Sequence, residues 1–218
     1  MNNDLIFKKI EELYFDNKFN EVIEYWGKNK LYYTFENNKE NDHNILEALA
    51  ASYDELGMYD NCLKYRNLQI QLLKYMELPK SEKEKKYRYY YSNVANIYSD
   101  QNKKIAEYKV VLAYLQIYPN DEIFIKSSDY LEEYFYRKYL TFIKYFLYFN
   151  IVLVVVFILR HITNISISKN IYNIYNFFSV ISIVWLLLNY AFPKIFRKYF
   201  LITLRYFLLL QINHKSYK

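Results

Sequence analysis

Glu133 is the last acidic residue of a chain that runs on to Lys218. All 23 Asp and Glu lie between Asp4 and Glu133, where 18 Lys and Arg leave a net charge of −5. The other 11 of the 29 basic residues follow from Arg137 onward without a counter-charge, and the whole chain sums to +6. A uniform surface does not divide its charges this way, so two environments are implied. The unpaired cations stand beside apolar runs, which makes membrane phosphate a better counter-charge for them than nucleic acid.

Turn-forming residues are scarce enough to narrow the fold class. Gly27 and Gly57 are the only glycines, and Pro79, Pro119 and Pro193 the only prolines. That poverty suits long helices and disfavours a turn-rich β fold, so an all-α chain is expected. Cys62 has no second cysteine to pair with, which fits a reducing compartment. Residues 1–30 hold no uninterrupted apolar stretch, which argues against a cleavable signal peptide.

From Asn44 to Leu73, apolar residues recur at helical spacing in two blocks separated by Glu55-Leu56-Gly57-Met58-Tyr59. The pattern predicts a helix, a tight turn and a second helix. Its spacing, Leu46, Leu49, Ala50, Tyr53, Gly57, Tyr59 and Cys62, resembles the tetratricopeptide repeat. A weaker copy precedes it (Ile6, Ile10, Leu13, then Val22 and Trp26, with Asn17 at the glycine place). Another follows, with Tyr91, Val94, Ala95, Tyr98, Asn102 and Ala106, its turn one residue short. Val22, Cys62 and Ala106 are taken as corresponding positions. The resemblance covers residues 4 to about 120 and implies a stack of antiparallel helical hairpins that holds a protein or peptide in its groove. It fixes no ligand-contacting residues.

Beyond the repeats, residues 139–160 and 174–192 are apolar enough to be read as two membrane spans joined by a short polar loop, a transmembrane helical hairpin. Residues 195–212 interleave cations with apolar side chains and are read as an amphipathic helix in the headgroup layer, with a third span as the alternative. Arg137, Lys138, Lys144, Lys194, Arg197, Lys198 and Arg205 are the membrane-interface cations, and their bias places both termini on the cytoplasmic side. A multi-pass protein of a bacterial inner membrane is expected, with a boundary between residues 1–136 and 137–218. Asn150 and Asn189 fall within the spans and are expected to hold helices together, including those of a second copy.

Chemistry is conspicuous mainly by its absence from the sequence. Two separated glycines cannot build a phosphate loop, and His43, His161 and His214 lack metal-ligand spacing. No catalytic residue, cofactor or metal is expected. The stretch Lys83 to Tyr91, KEKKYRYYY, interleaves cations and aromatics as single-strand binders do, but it reads more simply as the solvated start of a helix whose tyrosines pack inward. Nucleic acid is therefore not the expected partner. The expected function is a membrane-anchored interaction module that recruits a cytoplasmic protein. The alternative is a membrane effector or pore-former controlled by the N-terminal region.

Overall fold

The computed structural model describes residues 3–35, 39–163, 180, 184 and 193–215. Among them every regular element is helical: α1 (Asn3–Phe15), α2 (Phe19–Asn29), a 3-10 turn (Lys30–Tyr32), α3 (Lys39–Glu55), α4 (Tyr59–Tyr75), α5 (Lys80–Asp100), α6 (Lys104–Ile117), α7 (Glu122–Thr163) and α8 (Pro193–Lys215). The chain divides into two compact units, Met1–Ile125 and Lys126–Lys218.

The first unit is three helical hairpins closed by one backbone device. Asn17, Gly57 and Asn102 each take the left-handed conformation, with φ of 58°, 69° and 55°. In each turn that residue donates its N–H three residues back, to Tyr14, Asp54 and Ser99. The next residue donates five back, from Lys18 to Leu13, Met58 to Tyr53 and Lys103 to Tyr98, at 2.8 to 2.9 Å. These paired bonds satisfy the carbonyls that a helix end orphans. Glycine adopts that backbone freely, and asparagine is the side chain that tolerates it best. The following residue then starts the second helix at a φ near −90° and ψ near 60° in all three hairpins.

The shared turn sets the register that sequence spacing misjudged. Val22, Cys62 and Glu107 make the same first helical bond, to Lys18, Met58 and Lys103. The third turn is therefore of full length, and Glu107, paired with Lys104 at 2.7 Å, stands where Val22 and Cys62 are buried. Ala106, half-buried, lies one place before it.

Packing follows from which faces are apolar. Ile6, Ile10 and Leu13 of α1 close on Val22 and Trp26 of α2 and on Ile45, Ala48 and Leu49 of α3 in one core. Trp26 meets Tyr33 and Phe35 edge-on at 5.7 and 5.8 Å, and its indole N–H donates to Tyr65 of α4 at 3.1 Å. Burying rings of this size contributes roughly 1.5 to 3 kcal/mol each. Further along, Asp121 ends the α6–α7 connection and caps α7, accepting N–H bonds from Ile123 and Phe124. It also accepts from Tyr114 at 2.8 Å and Arg88 at 2.7 Å.

In the second unit, Glu133 accepts from both Arg137 and Arg197 at 2.9 Å, and Arg205 bonds Glu132. Phe200 of α8 stacks on Tyr139 at 4.6 Å. Two of the cations assigned to lipid headgroups, Arg197 and Arg205, are thus turned toward carboxylates.

Among the described residues no helix is long and apolar enough to cross a membrane. The first expected span falls in α7. The transmembrane hairpin, and with it the multi-pass inner-membrane placement with cytoplasmic termini, is corrected on this finding. The second expected span, 174–192, lies outside the described residues apart from Val180 and Val184, as do Asn189 and the side chain of Asn150.

Candidate functional site: a buried ion pair at the hairpin joint

Helix α4 carries two polar residues on its inward stripe. Cys62, Arg66, Gln69 and Leu73 follow one another at helical spacing, and all four are buried. Arg66, only 3% exposed, is the costly one, because a buried guanidinium must find a counter-charge. Its partner is Glu47 of α3, at 2.5 Å. Glu47 also accepts from Gln69 at 2.8 Å and from the hydroxyl of Tyr89, on α5, at 3.3 Å. Arg66 lies 5.6 and 5.7 Å from the ring centres of Tyr89 and Tyr90, within cation–π range, and donates to Gln69 at 3.0 Å.

Three helices from two hairpins therefore converge on one carboxylate. Burial by itself raises the Glu47 carboxyl, but Arg66 and the bonds from Gln69, Arg66 and Tyr89 outweigh it and hold the group below its ordinary value. Glu47 remains ionised at neutral pH. Tyr14 of α1 is close enough to feel the charge of Glu47, although burial is the main cause of its raised pKa. Glu47 of α3 presents a quarter of its side chain beside Tyr89 of α5, which is half exposed.

Beside this joint, His43 contacts Tyr90 through Nε2 at 2.7 Å. It also lines a cleft of about 660 Å³ with Lys39, Glu40, Asn44, Met76, Glu77, Leu78, Glu82 and Lys86. Lys39 donates to the carbonyl of Tyr75, and Lys83 to those of Lys74 and Met76, so two lysines satisfy the end of α4.

The repeat-packing residues occupy the places their spacing implies to differing degrees. Leu46, Leu49, Ala50 and Cys62 are buried, while Tyr53, Tyr59, Ala95, Tyr98 and Ala106 are half-buried. Gly57 is at the turn, and Tyr53 stacks on Tyr65 at 5.5 Å. Burial raises the Cys62 thiol to about 11, so it is a packed thiol and not a nucleophile. In the second unit Lys138 lies 5.8 Å from the ring centre of Tyr134, and Lys144, Lys194 and Lys198 are exposed. In the basic-aromatic stretch, Tyr87 and Tyr90 are buried and Arg88 is held by Asp121, leaving Tyr89 as its exposed ring.

Sequence reasoning missed Glu47, Arg66, Gln69, His43 and Tyr90 as a group. The available signal was a charged and an amide side chain on an otherwise apolar stripe of α4, positions where burial of such groups demands partners. No known protein family matches this chain, and neither a curated protein nor a solved structure does.

Proposed function

We propose that this protein is an interaction module whose hairpin stack binds a peptide or protein segment on the face marked by Tyr14, Glu47 and Tyr89. The observation that carries the proposal is Glu47 itself. A carboxylate held ionised by a buried arginine, and still presenting a quarter of its side chain, is a rigid, pre-oriented acceptor beside the exposed ring of Tyr89. Rigid aromatic and charged anchors are what binding surfaces use to concentrate affinity. Stacked helical hairpins provide such faces without catalytic machinery.

The test is selection of a random peptide library on the full chain, followed by titration of enriched peptides. Binding that weakens about tenfold or more in Tyr89→Ala, the loss of a hot-spot side chain of about 1.4 kcal/mol or above, supports the proposal. Enriched peptides that bind the Tyr89→Ala and Tyr14→Ala variants unchanged would refute this face as the site.

A further inference from the structure

We propose that His43 is a proton-operated latch: in its neutral form it joins α3 to α5 through Tyr90, and on protonation it turns into the adjoining cleft and releases that joint. The geometry gives the latch two resting places. In the first, His43 and Tyr90 are each only 3% exposed and meet at 2.7 Å. The second is the cleft of about 660 Å³ that His43 lines, whose wall carries Glu40, Glu77 and Glu82.

The charges around the ring act in both directions. On α3, Glu47 favours a protonated ring, but it is already committed to Arg66 of α4. Arg66 and Lys86, the latter on α5, disfavour it, Lys86 the more strongly. Asn44 favours a protonated ring, and Gln69 reaches the His43 carbonyl at 3.4 Å. Lys39, Lys86 and the three carboxylates line the cleft into which the ring turns. A cation created at Tyr90 is thus desolvated near Arg66 and Lys86, while in the cleft it regains water and faces three carboxylates against the two lysines. Burial first, and Lys86 second, keep His43 below its ordinary value of 6.5.

The sign follows. A neutral histidine in the folded joint stabilises it fully above pH 6.5, and the contribution is lost as pH falls from there through the lower folded value. Because α5 supplies Tyr90, Lys86 and Glu82, its first turns part from α3 before the α5–α6 turn opens.

Hydrogen exchange of the full chain tests this, with rates corrected for intrinsic pH dependence. Amides 83–90 of α5 should open about tenfold more per pH unit below 6.5, while those around Asn102 hold. His43→Gln, which keeps an amide near Tyr90 and cannot titrate, should abolish the pH effect. Equal pH response in His43→Gln, or equal opening at Asn102, would overturn the latch. Should His43→Gln not fold, imidazole NMR of the His161→Gln, His214→Gln chain decides. A ring that titrates at 6.5 while its contact with Tyr90 persists contradicts the inference; a depressed titration that ends with loss of that contact supports it.

Discussion

Arg66 of α4 and Glu47 of α3 meet at 2.5 Å in a site where the arginine side chain is 3% exposed, and the pair is the electrostatic centre of the first unit. Neither residue is replaceable alone. Glu47→Gln leaves the guanidinium buried without a counter-charge, which costs about 3 kcal/mol or more, whereas Glu47→Gln with Arg66→Met removes both charges and recovers much of that loss. Urea unfolding of the single and double variants measures the difference.

Acid should act on the same pair. Glu47 and Asp121 are both held below their ordinary values of 4.5 and 3.8; burial opposes this, and bonds from Arg66 and Gln69, and from Tyr114 and Arg88, prevail. Their contribution is present above those ordinary values and is lost as pH falls through the lower folded ones. Stability should therefore decline below about pH 4.5, and Asp121→Asn should flatten the lower part of that decline in a pH series of melting curves.

The three turns carry a prediction that side-chain contacts alone would not suggest. A methyl group added at Gly57 would meet open space, but the backbone there has a φ of 69°, so Gly57→Ala is unfavourable through its backbone alone, by about 1 kcal/mol. Asn102→Gly, at a φ of 55°, should be neutral or slightly stabilising, and Asn102→Val should cost more than Gly57→Ala. Chemical denaturation of the three variants checks the order.

Cys62 provides an internal clock of unfolding. Buried completely and with its thiol raised to about 11, it should react with a thiol reagent only as fast as the second hairpin opens. Labelling that is immediate in the native protein would mean that the α3–α4 interface is not closed.

What the sequence made legible was local and periodic. The polar-to-apolar change at residue 133 is visible in charge alone, and the stripe of Leu46, Leu49 and Ala50 announces a buried helix face. Asn17 and Gly57 were legible as equivalent turns because each stands between two helical patterns. The third register was not, since Glu107 occupies a place that apolar residues hold in the other hairpins and the apolar Ala106 beside it drew the alignment. The Glu47–Arg66 pair was hidden for a different reason: periodicity identifies who is buried, but not which distant polar residue will satisfy a buried charge. The apolar runs after Lys144 raised an expectation of spans, which no helix among the described residues is long and apolar enough to meet.

The proposed interaction face is tested most directly by photo-crosslinking from the full chain in its native cell, with a photoreactive phenylalanine at Tyr89 or Tyr14, or at the exposed Lys64 of α4 as the control. The account predicts one discrete adduct shared by positions 89 and 14 and absent from position 64. The same adducts from all three positions, or an adduct from Lys64 alone, would contradict it.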